Sequence, residues 1–150
     1  MEPLERLLAI EEIGRLKARY FRLLDTRQWG ELETLFAADA VFDMREAAGG
    51  GSDERALVVG ASAIAAFVRG AVDGLVTVHH GHMPEIELLA PTRARATWAM
   101  EDLLRWPGEA GIARTLRGYG HYRDTYTRIE GRWVIQSSAL SRLLVDFSPV

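Results

Sequence analysis

The chain has 150 residues, 48% hydrophobic and 26% charged, with a net charge of −3 and no cysteine. That describes one ordinary globular domain without the basic surface that nucleic acid or an anionic membrane selects. It also excludes disulfides, a thiolate nucleophile and cysteine-ligated zinc.

Chain order begins with an amphipathic helix. Ile13, Leu16, Tyr20 and Leu24 share one face, with Phe21 and Leu23 on its flanks; Glu11, Arg15, Arg19 and Arg22 lie opposite. Tyr20 therefore points inward, where a phenol needs a hydrogen-bond partner. Asp25 falls off the stripe, so the helix ends there or Asp25 sits at the rim of the buried face. A second short helix is expected to carry Trp29, Leu32, Leu35 and Phe36. The run Glu46-Ala-Ala-Gly-Gly-Gly-Ser-Asp-Glu54 reads as a surface loop. A plain connection is favoured there over a lid at Gly49–Gly51. A third helix runs from Ser62 to Val72, with Ile64, Phe67, Val68 and Ala71 at helical spacing and Gly74 as its stop.

Beyond Gly74 the period becomes that of strands. Alternation groups His80 and His82 with Val76, Val78, Ile86 and Leu88, and leaves His79 beside Thr77 on the other face. Either a bulge near Gly81 or Pro84 re-aims the histidines, or His79 faces a concave pocket while His80 and His82 pack beneath helices. From Thr92 to Trp106, Ala94, Ala96, Trp98, Met100, Leu104 and Trp106 share a face. Asp102 falls on that apolar side. A buried carboxylate costs several kcal/mol unless it is paired or protonated; Tyr20, Arg142 or a raised pKa would resolve it. Pro107-Gly108 turns the chain. Strands over Ile112–Ile129 and Arg132–Phe147 then follow, joined at Glu130-Gly131. Helices followed by long antiparallel strands predict a single α+β domain over residues 1–150.

His80-Gly-His82 has the spacing of two strand-borne metal ligands, but His121 or a carboxylate would have to complete the set, and no metal is expected. Arg142, on the side of Gln136 and Ser138, is either exposed or anion-binding. Asp124, between Tyr122 and Tyr126 on one strand face, is a further pocket candidate. Taken singly, Tyr20 reads as a core tyrosine, Asp25 as a helix-end carboxylate and His79 as an ordinary strand histidine.

Together, several spaced blocks carry a resemblance. They are Arg19-Tyr-Phe-Arg-Leu-Leu-Asp25 running into Trp29-Gly-Glu-Leu-Glu-Thr34, then His79-His-Gly-His-Met-Pro-Glu-Ile86, then Glu101-Asp102, then Tyr122 to Arg142. The chain resembles the SnoaL-like branch of the nuclear-transport-factor-2-like superfamily, and most of all the bile acid 7α-dehydratases. The Asp25 and His79 positions are also similar to the dyads of scytalone dehydratases and hexachlorocyclohexane dehydrochlorinases. The resemblance implies a cone-shaped α+β barrel with three helices, from the N-terminal half, on a bent, mainly antiparallel sheet. It implies an Asp25–His79 dyad as general base, Tyr20 as acid or hydrogen-bond donor, and Asp102 and Arg142 in the pocket. Asp102, if held neutral, is the second candidate for delivering a proton.

The reaction so implied is a cofactor-independent elimination, with no cofactor and no metal. Phe21, Trp98 and Met100 would form a wall selecting a flat, hydrophobic, hydroxylated substrate of steroid or polyketide size. The chain departs from these relatives at Gln136-Ser-Ser-Ala-Leu140, which is small and polar. The same parts would serve an isomerase or an aldol-type cyclase, and a non-catalytic binding or assembly module shares the fold. A homo-oligomer, dimer or trimer, is expected. No nucleic acid or membrane partner is expected, and the absence of a signal-peptide pattern makes the cytoplasm the expected location.

Overall fold

The computed structural model describes residues 1–47, 53–108 and 113–149. The loop at Gly49–Gly51 and the predicted strand start at Ile112 lie outside these residues. Helix α1 spans Pro3–Asp25. Proline suits its first turn, where an N–H would be unsatisfied anyway, and Glu2 and Glu5 cap each other's backbone groups. Its buried face carries Ile13, Leu16, Lys17, Tyr20, Phe21, Leu23 and Leu24. Lys17 thus stands on the apolar stripe itself, four residues after Ile13. Asp25 is the last helical residue and is partly buried.

Helix α2 is the single turn Trp29–Glu33, shorter than expected. Leu35 follows it, and Phe36 opens a strand, β1 (Phe36–Asp43), where a continuing helix was anticipated. That strand is hard to read because its pairing register slips between Phe36 and Val41, so its buried positions do not alternate. A 3-10 turn at Glu54–Ala56 leads to the three-residue strand β2 (Leu57–Val59). Helix α3, Ala61–Val72, matches the expectation to one residue.

The remaining strands are β3 (Val76–Gly81), β4 (Glu85–Ala90), β5 (Arg93–Trp106), β6 (Arg114–Ile129) and β7 (Arg132–Pro149). The β6–β7 hairpin turns on Glu130 and Gly131, both at positive φ (49° and 81°), as a two-residue hairpin with right-handed strand twist requires. The strand order is β2-β1-β7-β6-β5-β3, with β4 also on β5. Every pairing is antiparallel except β1 with β7, which is parallel.

The α+β class and the three helices on a mainly antiparallel sheet hold. The sheet is open, however: β2 ends one side and β3 and β4 share the other, so the described strands do not close a barrel. Side chains from the three helices and the inner sheet face form one core around Ile13, Leu32, Ile64, Phe42, Trp98 and Ile135.

Candidate active site

Strand β3 pairs with β5 without a register break, His79 opposite Asp102 and His80 opposite Glu101. No bulge re-aims the histidines. Thr77 and His79 face the interior, and Val76 and Val78 face outward. This inverts the usual rule that apolar residues go inside, and it explains why alternation alone could not select His79. His80 and His82 do not pack beneath helices; their side chains are more than half exposed and share Glu101, at 3.2 Å and 4.0 Å. Among the described residues no group of three or more histidine or acidic side chains is placed to hold a metal ion.

The end of α1 delivers Asp25 to β3. Asp25 Oδ1 lies 2.7 Å from His79 Nδ1, and Oδ2 accepts the His79 backbone N–H at 2.8 Å. The Thr77 hydroxyl lies 2.9 Å from the same Oδ1. On the far side of the ring, His79 Nε2 is 3.9 Å from Asp102 Oδ2. Phe21 stacks on the imidazole with the planes 10° apart. A Cβ at Gly81 would meet the Phe21 ring at 2.6 Å, so glycine there makes room for the stack. His79 is thus a nearly dry imidazole with a carboxylate beyond each nitrogen.

Asp102 and Arg142 form a bidentate ion pair, Nη1 to Oδ1 at 2.8 Å and Nη2 to Oδ2 at 2.7 Å, and the guanidinium also donates to the Ala47 carbonyl. Of the resolutions open for Asp102, pairing with Arg142 is the one adopted; both carboxylate oxygens are engaged, which leaves it an acceptor and not a free acid. The Arg142 side chain is buried, not exposed, and three of its five N–H donors are spent on Asp102 and Ala47. Burial pulls its pKa down, but the hydrogen bonds and charge of Asp102 outweigh that and raise it. Two features absent from the sequence reading make room for the pair. A Cβ on Gly118 would fall 1.7 Å from Arg142 Nη1 and 2.3 Å from Asp102 Oδ1. The β6–β7 register also slips between Tyr119 and Gly120, so Leu143 is the extra residue where the strand re-aims its faces.

Tyr20 is fully buried. Burial, then the negative charge of Asp124, hold its pKa above the ordinary phenol value; contact with Tyr122 opposes this, and Asp25 and Asp102 reinforce it. Tyr20 therefore keeps its proton within reach of the field of both site carboxylates.

Asp124 belongs to a separate buried network that was only partly foreseen. It accepts from Lys17 at 2.7 Å, Tyr126 at 2.7 Å and Ser138 at 2.6 Å, while Trp98 donates to the Tyr126 oxygen at 3.0 Å. The Lys17 ammonium also sits 3.7 Å from the Tyr122 ring centroid, a cation–π contact. Desolvation lowers the Lys17 pKa against the opposing pull of Asp124. Its position on the helix stripe was the signal that would have found it.

A groove of about 560 Å³ reaches the dyad from the α1 side, with Lys17, Phe21, Asp25, His79, His80 and Trp98 among its walls. Tyr20, Met100, Asp102 and Arg142 do not line it. Met100 is a core residue, so of the three expected wall residues only Phe21 and Trp98 face this groove.

The sequence is 25% identical to the probable cyclase FGR4 of Gibberella zeae over 135 residues, 87% of this chain and 89% of that protein. The fold is similar to that of a candidate scytalone dehydratase from Novosphingobium aromaticivorans, with TM-score 0.81 and 21% identity over 97% of this chain and 91% of that one. It is also similar to a type 2 hexachlorocyclohexane dehydrochlorinase, with TM-score 0.80 and 18% identity over 99% and 93% of the two chains. The model of the SnoaL-like domain matches residues 5–139. A match of that reach makes the chain a member of the SnoaL-like domain family.

Proposed function

We propose that the protein is a cofactor-independent lyase of the dehydratase type, acting on a hydrophobic, hydroxylated substrate of steroid or polyketide size. The observation that carries this reading is the 2.7 Å contact between Asp25 Oδ1 and His79 Nδ1 inside the fold. A carboxylate on Nδ1 fixes the ring and stabilises the imidazolium, leaving Nε2 to accept a proton. In the proposed step Nε2 takes the proton from a carbon beside a carbonyl, and the C–H electron pair becomes the new C=C bond. The hydroxyl on the next carbon leaves with its bonding pair, and the proton on Nε2 passes to it to form water. The dyad is thereby reset.

Tyr20 retains its proton but is buried behind the groove wall, so it is left without the expected role of acid or hydrogen-bond donor to the substrate. Asp102 is assigned to face Nε2 and stabilise the imidazolium, with Arg142 holding it in place. Phe21 and Trp98 form the apolar wall. The Gibberella zeae relative, a probable cyclase, favours a second reading, in which the same proton abstraction drives an aldol-type ring closure.

The test is dehydration of a β-hydroxydecalone, followed by the absorbance of the conjugated ketone produced. Wild-type turnover that falls at least a hundredfold in His79→Ala and Asp25→Asn, with both variants folded, is the expected result. Turnover unchanged in both would refute the dyad. Tight binding with no turnover and no ring closure would leave a binding module.

We further propose a cytoplasmic homo-oligomer, dimer or trimer, with no nucleic-acid or membrane partner. No helix among the described residues is long and apolar enough to cross a membrane. Exposed Val76, Leu143, Leu144 and Phe147 support a surface covered by another subunit. Light scattering giving only the monomer mass would rule that out.

A further inference from the structure

Asp25 is itself held by something, and the holder is not part of the dyad. The chain turns out of α1 through Arg27, which adopts a left-handed φ of 62°. A non-glycine residue there is uncommon and points to a local constraint. From that turn the Arg27 side chain crosses to the start of β3. Its Nη1 donates to the Leu24 carbonyl at 3.2 Å and to Thr77 Oγ1 at 3.0 Å, and Nη2 donates to the Leu75 carbonyl. Thr77 is buried, and its oxygen in turn lies 2.9 Å from Asp25 Oδ1.

The direction of each hydrogen in this chain is fixed by chemistry. A guanidinium has only donors, so Thr77 Oγ1 must accept from Arg27. A threonine hydroxyl has one hydrogen, and the carboxylate beside it can only accept, so that hydrogen points at Asp25. Asp25 then receives the Thr77 hydroxyl and the His79 ring nitrogen on Oδ1, and the His79 backbone N–H on Oδ2. With its lone pairs directed at three donors, Asp25 demands a hydrogen on Nδ1. The lone pair of the neutral ring is therefore on Nε2, on the side of Asp102.

We propose that Thr77 and Arg27 are positioning residues that polarise Asp25 and lock His79 in the tautomer with Nδ1 protonated and Nε2 free. Neither touches the reacting atoms. Arg27 sets the hydroxyl of Thr77, Thr77 sets the carboxylate, and the carboxylate sets the ring. The catalytic consequence rests on the lyase reading, but the tautomer is a property of the protein alone, so the two can fail separately.

The test is nitrogen-15 NMR of the ring of His79, with the imidazole neutral and no ligand present, paired with kinetics on the β-hydroxydecalone. Thr77→Val keeps the shape of the side chain and leaves the Arg27 bonds to Leu24 and Leu75 in place. Its two ring-nitrogen shifts are expected to move toward each other as the second tautomer becomes populated. kcat is expected to fall about tenfold with KM unchanged, in the range that losing a partner of a working histidine costs. Thr77→Ser, which restores the hydroxyl, is expected to return both readings to the wild-type values.

Arg27→Met, which leaves Thr77 intact but frees its hydroxyl to rotate, is expected to move the shifts the same way by a smaller amount. It carries the test if Thr77→Val does not fold. Unmoved nitrogen shifts in a folded Thr77→Val, or in Arg27→Met, would overturn the proposal and leave both residues as a tie between α1 and β3. Shifts that move in a protein with no turnover would sustain the positioning role and remove the lyase reading.

Discussion

At the scale of single residues, burial decides which charged groups matter. Lys17 and Asp124 are both almost wholly inside the core, where an unpaired charge costs several kcal/mol. Lys17→Met removes one partner and leaves Asp124 with only Tyr126 and Ser138. Urea unfolding is expected to show a loss of about 3–5 kcal/mol, and adding Asp124→Asn is expected to recover part of it. A Lys17→Met loss under about 1 kcal/mol would mean that the pair is no better than a surface one. The ion pairs of Arg15 with Glu11 and Arg55 with Asp53 are exposed by comparison, and single substitutions there should hardly register.

Asp102 stood out in the sequence as a carboxylate on an apolar strand face, and Asp25, His79 and Arg142 through their match to known motifs. The sequence could not show that Asp102 spends both oxygens on Arg142, because that contact joins positions 40 residues apart. Thr77 and Arg27 escaped notice because a threonine in a strand and an arginine after a helix are ordinary by any local criterion.

At the scale of elements, the site depends on a few places where strands depart from regular pairing. The slip between Tyr119 and Gly120 marks where β7 changes faces: Arg142 is carried inward and Leu143 is left 78% exposed. Gly118 opens the space that the Asp102–Arg142 pair fills. Gly118→Ala should displace that pair, lower stability by about 2 kcal/mol, as overpacking does, and reduce turnover as well. Thermal melts and the dehydration assay check the two effects; a variant with the wild-type melting temperature and rate would mean that the pair has room to move and carries no weight.

The long strands β5, β6 and β7 and helices α1 and α3 were readable from periodicity, since each repeats its pattern over many residues. Strand β1 was not. Its parallel pairing with β7 and its slipped register scramble the alternation that marks a strand. The open arrangement of the sheet was also invisible, because closure depends on which strands meet and not on any one of them.

For the whole molecule, three buried tyrosines govern behaviour in alkali. Burial raises the pKa of Tyr20, Tyr122 and Tyr126 above the ordinary phenol value of about 10. Above that pH the unfolded chain releases phenolic protons that the native state keeps. The stability they lend is complete below about pH 10 and is lost as pH rises toward their native values. Lys17, shifted downward, acts in the opposite sense, but as one group against three. Absorbance at the phenolate band, with circular dichroism in parallel, should show these three tyrosines silent until the fold collapses. Their reversible ionisation near pH 10 in a folded protein would contradict the burial described here.

The central claim, that His79 held by Asp25 takes a proton from carbon, is tested most directly by solvent isotope exchange. In D2O the proton held on Nε2 exchanges with solvent, and part of it returns to carbon before the hydroxyl leaves. NMR of the remaining β-hydroxydecalone should therefore show the hydrogen beside its carbonyl replaced by deuterium in the presence of the wild-type protein. That replacement should disappear in folded His79→Ala and Asp25→Asn. Exchange that persists at the wild-type rate in both variants would contradict the account.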